Sequence, residues 1–263
     1  MQKHNYKKYL SLVLLLTSFQ LLAQTPEEKG LQIAQASVKQ DEGWGDMKAD
    51  MKMILRNKHG QESVREISLS SLEQLDDGDK SLSVFNKPRD VKGTAFLSFS
   101  HPIGADDQWL YLPALKRVKR IASKNKSGPF MGSEFAFEDL SSFEVEKYTY
   151  KYLKDETING VDSYVVEQVP VDENSGYTRR MVWIEKEHYR VQKIDFYDRK
   201  NSLLKTMGSS NYNQYLNKYW RPSKMEVTNH QSGKSTELMW SNYKFGVGLT
   251  DQDFNKNTLK RAR

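Results

Sequence analysis

From position 46 onward the chain alternates apolar and polar residues with a period of two. In 46–56, Met47, Ala49, Met51, Met53 and Leu55 alternate with Asp46, Lys48, Asp50 and Lys52, which predicts a strand with one dry and one wet face. Comparable runs occur at 61–74, around Leu82, Val84 and Phe85, and at 94–100 and 108–112. They resume at 146–154, 163–171, 178–185, 190–197, 203–207, 220–228 and 235–243. The whole predicts about eleven strands, mostly in meander order, with turns at Asn57-Lys58-His59-Gly60, Asp76-Asp77-Gly78-Asp79, Asn159-Gly160 and Ser232-Gly233. Ahead of the first strand the period changes. Thr25-Pro26-Glu27-Glu28 combines a capping residue, a proline suited to the first helical position and a capping-box glutamate. A helix over roughly 26–41 follows, presenting Leu31, Ile33, Ala34 and Val38 and ended by Gly43 and Gly45.

Two stretches depart from this pattern. Leu10 to Ala23 is apolar and follows Lys3, Lys7 and Lys8, the layout of an export signal; it is short for a bilayer-crossing helix. Residues 1–23 are therefore expected to be a cleaved signal peptide, an uncleaved anchor being the alternative. Residues 24–263 are then expected to form a single domain in the periplasm. The second departure is 113–145. It opens with six cations, Lys116, Arg117, Lys119, Arg120, Lys124 and Lys126, and continues through Ser127-Gly128-Pro129-Phe130-Met131-Gly132-Ser133 into an acidic and aromatic run, Glu134 to Phe143. It predicts a long loop, with a short helix around 137–142 as an option. Irregular segments of this length inside a compact domain tend to be functional.

A single antiparallel sheet of this size has to curl, because a flat one exposes edges and a dry face. The expected architecture is mainly β (α+β): a strongly curved sheet, or half-open barrel, with helices across its mouth. Composition narrows the function classes. The absence of cysteine excludes disulfides, thiolate nucleophiles and an acylated lipobox cysteine. Without Lys3, Lys7 and Lys8 the net charge falls from +6 to +3, too little for a nucleic-acid binder.

Candidate chemistry is sparse. His59, His101, His188 and His230 fall in or near turns, none at metal-ligand spacing, and His4 lies in the signal. Gly132-Ser133 and Gly208-Ser209-Ser210 lack the nucleophile-elbow pattern, and Asp76-Asp77-Gly78-Asp79 lacks the spacing of a calcium loop. No enzyme, cofactor or metal site is expected. The basic run suits either a solvated loop face or a surface for a partner or lipid head groups. Met47, Met51 and Met53 suit either ordinary core or an adaptable apolar cavity.

The segment from Asp107-Gln108-Trp109-Leu110-Tyr111-Leu112-Pro113-Ala114-Leu115-Lys116-Arg117 through Ser127-Gly128-Pro129-Phe130-Met131-Gly132-Ser133-Glu134-Phe135 to Phe137-Glu138-Asp139-Leu140 resembles the signature of the LolA-like outer membrane lipoprotein-sorting family. Asp90-Val91-Lys92-Gly93-Thr94-Ala95, Trp183-Ile184, Phe196-Tyr197-Asp198, Leu203-Leu204-Lys205 and Arg221-Pro222 extend the resemblance over nearly all of the chain after the signal. The resemblance implies a half-open antiparallel barrel around an apolar cavity and a carrier that moves acylated lipoproteins or lipids between the inner and outer membranes. It also implies work alongside an inner-membrane exporter of the resistance-nodulation-division type and an outer-membrane acceptor.

On that basis Met51, Met53, Leu97, Phe99, Trp109 and Tyr111 are expected to line the lipid-binding cavity. Lys116, Arg117, Lys119, Arg120, Phe130 and Met131 are expected to form a lid or partner loop in transient contact with the membrane surface. A periplasmic adaptor that docks on a transporter without carrying cargo is the alternative.

Overall fold

The computed structural model describes residues 24–260, so the expected signal segment lies outside the described residues. Helix α1 (Pro26–Asp41) starts as its sequence predicts. Thr25 Oγ1 accepts from the Glu28 amide at 3.1 Å, and Glu28 accepts from the Thr25 amide at 2.9 Å. The chain then enters β1 (Asp46–Arg56), β2 (Glu62–Leu72), β3 (Lys80–Lys87), β4 (Ala95–Phe99), β5 (Asp107–Leu112) and β6 (Arg117–Ile121). A long connection leads to β7 (Tyr148–Ile158), β8 (Val161–Pro170), β9 (Tyr177–Glu185), β10 (Val191–Asp198), β11 (Leu203–Tyr215), β12 (Tyr219–Asn229) and β13 (Ser235–Phe245). A short helix, α2 (Lys256–Leu259), comes last.

All thirteen strands form one antiparallel sheet in the order β6-β5-β4-β3-β2-β1-β13-β12-β11-β10-β9-β8-β7. Two meanders are thus joined where the first strand pairs with the last, Met53 opposite Leu238 and Met51 opposite Trp240. The sheet is curved and unclosed, its edges being β6 and β7. Thirteen strands stand where about eleven were expected. One of the extra strands, β6, lies inside the basic run read as loop, and β11 continues to Tyr215 instead of stopping near 207.

The register sorts side chains onto two faces. Met51, Met53, Ile67, Phe85, Phe96, Leu110, Val227 and Leu238 share the concave face as one buried cluster. Along β7–β10 that face continues through Tyr150, Val166, Val182, Ile194 and Phe196, against which α1 sets Ile33 and Ala34. Gly30 permits this approach: a Cβ there would lie 2.8 Å from the Tyr152 backbone nitrogen, so the helix could not seat on β7 with any larger residue. The opposite face carries Leu97 and Trp109, covered by the C-terminal segment through Phe254 and Leu259. Strand β4 (AFLSF) lacks strict alternation for this reason: both its faces are covered. Among the described residues no helix is long and apolar enough to cross a membrane.

Candidate functional site: the concave face and its strap

The connection from β6 to β7, residues 122–147, has to travel from one edge of the sheet to the other. It does so across the concave face, as a strap built only of short 3-10 turns. The expected helix around 137–142 is one of these, Phe137–Leu140. The strap's aromatic residues fill the interior. Phe130, 2% exposed, packs against Phe96 (ring centroids 5.1 Å), Phe137 (5.6 Å) and Phe85 (5.9 Å). Phe135 is equally buried, and Met131 and Leu140 pack at the margin of the same cluster. Met131 (φ 50) and Gly132 (φ 77) are consecutive left-handed residues that reverse the strap at its tip.

Polar groups hold this strap at three places. At the tip, Arg65 of β2 donates to the Met131 carbonyl, and the Glu134 amide donates to Thr236 Oγ1 at 3.0 Å. In its middle a buried ion pair joins Lys205 of β11 to Asp139, Nζ to Oδ2 2.6 Å, with both side chains less than a tenth exposed. Lys205 also donates to the Glu134 carbonyl, while the Tyr177 hydroxyl donates to Asp139 at 2.9 Å. Burial pushes that phenol well above its usual pKa, which keeps the proton available for donation. Glu138, its pKa raised by burial, accepts from Ser175 Oγ and the Gly176 amide.

Toward its C-terminal end the strap meets the loops after β2 and β4. Ser142 Oγ donates to Asp79, the Ser142 amide donates to Ser100 Oγ, Ser141 donates to Asp106, and Lys147 pairs with Asp106. Gly78 sits so close that a Cβ would fall 2.5 Å from the Ser100 carbonyl carbon and 2.6 Å from Glu144 Oε1. Burial, helped by the nearby Asp79 charge, lifts Glu144 to about 7, and burial lifts Asp79 to about 6.

The expected lining residues do not share one face. Met51 and Met53 lie on the concave face beneath the strap. Leu97, Phe99, Trp109 and Tyr111 alternate with Phe96, Ser98 and Leu110 and therefore point the other way, into the cluster under the C-terminal segment. One residue of register separates the two sets. The expected lid residues divide as well. Lys116, Arg117, Lys119 and Arg120 stand exposed on the β5–β6 hairpin, whereas Phe130 is buried and Met131 half-buried in the interior. Lys126, from the same basic run, is drawn into the strap by Asp172 at 2.6 Å.

The interior residues missed by the sequence reading are Phe85, Phe96, Leu110, Val227 and Leu238. Phe96 and Leu110 sit in the apolar runs of β4 and β5, where both faces are dry, whereas Phe85, Val227 and Leu238 sit in β3, β12 and β13. The Lys205–Asp139 pair had no local signal, since 66 residues separate its members.

Two clefts flank the strap tip. One, of about 460 Å³, runs between Pro129, Glu134 and Phe135 of the strap and Tyr177, Arg199, Lys205 and Asn229 of the sheet. The other, about 280 Å³, lies between Gly132 and Glu134 and the ends of β1, β2 and β13, with Leu55, Ser63 and Ser235 in its wall. The acidic turn does not converge on a cation: Asp77 pairs with His101 at 3.0 Å while Asp79 faces Ser142. Among the described residues Glu185, Glu187 and His188 could together approach a metal, but Arg190 and Gln192 already occupy the Glu185 carboxylate.

This architecture has solved counterparts. A domain from Vibrio parahaemolyticus, described as of the outer membrane lipoprotein-sorting proteins, is 63% identical over 89% of this chain and all of its own, with a TM-score of 0.88. The chain belongs to the outer membrane lipoprotein-sorting protein family. A DUF1329 family protein from Desulfovibrio piger is 30% identical over 89% of this chain and 99% of its own, TM-score 0.84. A LolA superfamily protein from Nitrosomonas europaea, 21% identical over 87% of this chain and 99% of its own, shares the fold with a TM-score of 0.70. A profile of a family described only as an uncharacterized protein matches residues 77–261. No curated protein matches the chain.

Proposed function

We propose that the protein is a periplasmic carrier that takes up an acyl chain of a lipoprotein or lipid on the concave face of its sheet, in place of the strap's aromatic side chains. One observation carries this reading: a continuous apolar face, from Met53 and Phe85 to Val227, is covered by an irregular strap instead of a regular element. The likeness to the Vibrio lipoprotein-sorting domain supports the cargo class.

The energetics permit the exchange. Burying an acyl chain is worth about 0.8 kcal/mol per methylene, so a chain of about sixteen carbons gains on the order of 12 kcal/mol. Undocking Phe130 and Phe135, at about 3–5 kcal/mol for each buried phenylalanine, costs on the order of 6–10 kcal/mol, less than that gain. Because such burial is non-directional, the interior discriminates poorly among acyl chains, and selectivity falls to the polar clefts at the strap tip.

A filled interior also favours a second reading, a non-carrying adaptor that docks on an inner-membrane transporter, in which the strap is permanent core. Incubation of the chain from Gln24 with a fluorescent polyene fatty acid and with a diacylated peptide separates the two. The carrier reading expects saturable binding that Met53→Asp abolishes while Leu97→Asp, on the other face, destabilises the fold without selective loss. No binding by folded protein, or binding indifferent to Met53→Asp, leaves the adaptor.

A further inference from the structure

The expected basic surface survives in the structure only in part, and the surviving part is a shaped one. Strand β6 and the tip before it, residues 113–121, carry Lys116, Arg117, Lys119 and Arg120 and no acidic residue. Arg120 is paired with Asp107 at 2.5 Å, whereas Lys116, Arg117 and Lys119 have no acidic partner among the described residues. At the tip a 3-10 turn, Pro113–Leu115, followed by left-handed Lys116 (φ 49), turns Leu115 outward at 67% exposure beside exposed Ala114.

The loop between β3 and β4 emerges from the same end of the sheet and adds exposed Arg89 and Lys92, with one exposed acid, Asp90, between them. Among the described residues no strand flanks β6 on its outer side. An outward leucine at a proline-braced tip, ringed by unpaired cations on an edge hairpin, matches an interfacial anchor: the apolar tip enters the acyl boundary while the cations meet lipid phosphates.

We infer that the β5–β6 hairpin, with the β3–β4 loop beside it, docks the protein on an anionic phospholipid surface. A lipid surface meets both features at once, phosphates for the cations and an acyl boundary for Leu115. Docking by this end also turns the strap tip toward the bilayer, because Arg65 to Met131 and Thr236 to Glu134 fasten the tip at the same ends of β2 and β13. The docking itself does not depend on the interior taking an acyl chain.

The test is flotation of the chain from Gln24, which omits the apolar 10–23 stretch, with vesicles of phosphatidylcholine alone or with one-third phosphatidylglycerol. Binding is expected only to the anionic vesicles and is expected to weaken as salt rises to physiological strength. Replacing Lys116, Arg117 and Lys119 together by Ser should lower the partition coefficient on the order of a hundredfold, at about fivefold per cation. Arg89→Ser with Lys92→Ser should lower it by a smaller factor, and Leu115→Ser should remove the binding that survives high salt. Lys39→Ser with Lys154→Ser, exposed positions away from this hairpin, should leave binding unchanged, and circular dichroism verifies that each variant is folded. Equal binding to both vesicle types, no binding at all, or a loss in the Lys39/Lys154 variant as large as in the hairpin variant overturns the inference.

Discussion

Replacing Phe130 with alanine tests whether the strap is a separable cover or an inseparable part of the core. The ring is 2% exposed and touches three other phenylalanines, Phe85, Phe96 and Phe137. A buried phenylalanine removes about 150–250 Å² from water. At about 25 cal/mol per Å² this is on the order of 4–6 kcal/mol, against about 3–5 kcal/mol measured for such truncations in general. Taking the lower end, about 3 kcal/mol, the open population of a strap that moves as a unit rises about 150-fold.

Hydrogen exchange read by mass spectrometry should then accelerate by that factor in peptides covering 127–140, with β12 and β13 unchanged. Trypsin cleavage after Lys124 should quicken in parallel. Leu97→Ala provides the contrast: it opens volume on the opposite face, under the C-terminal segment, and should leave strap exchange as it was. If Phe130→Ala accelerates strap and sheet peptides by the same factor, the strap has no opening of its own and exchange with an acyl chain is excluded as the mechanism.

Three further predictions rest on single contacts. Lys205→Met strands the buried Asp139 carboxylate and should cost about 3–5 kcal/mol in urea denaturation, with Asp139→Asn in the same background recovering part of the loss. Gly30→Ala drives a methyl to within 2.8 Å of the β7 backbone; it should destabilise by about 1–3 kcal/mol and release the Lys29 ammonium from its seat over Tyr152, seen as a change in tyrosine fluorescence. Glu144 and Asp79 have folded pKa values raised to about 7 and about 6, so the folded protein holds their protons more tightly than the unfolded chain does. Stability from this pair is full below the ordinary carboxylate range and is lost as pH rises through the raised values; the urea midpoint should fall from about pH 5 to about pH 8, and Glu144→Gln should flatten the dependence.

Much of the fold is legible one residue at a time. The period-two runs locate most of the strands because a strand with one wet face writes its geometry into alternation, and Thr25 with Glu28 marks the helix start because the capping bonds are local. Strand β6 escapes this logic: an exposed edge strand rich in Lys and Arg has no dry face to reveal it, and those same charges protect the edge from pairing.

What the tertiary structure decided is which side of each strand is inside and what fills it. Met53 and Leu97 both sit on apolar positions of predicted strands, yet they face opposite ways, because β4 is dry on both faces and alternation there carries no sign. Phe130 and Met131 look like exposed lid residues in a glycine-rich loop, but the sheet's open edges force that loop across the concave face, and the cheapest place for its aromatic rings is the apolar surface it must cross. Asp139 and Lys205, far apart along the chain, meet only once that crossing is made. Local sequence encodes the elements because their forces act over a few residues; the site depends on which edges the sheet leaves open, and that is settled by pairing between strands as remote as β1 and β13.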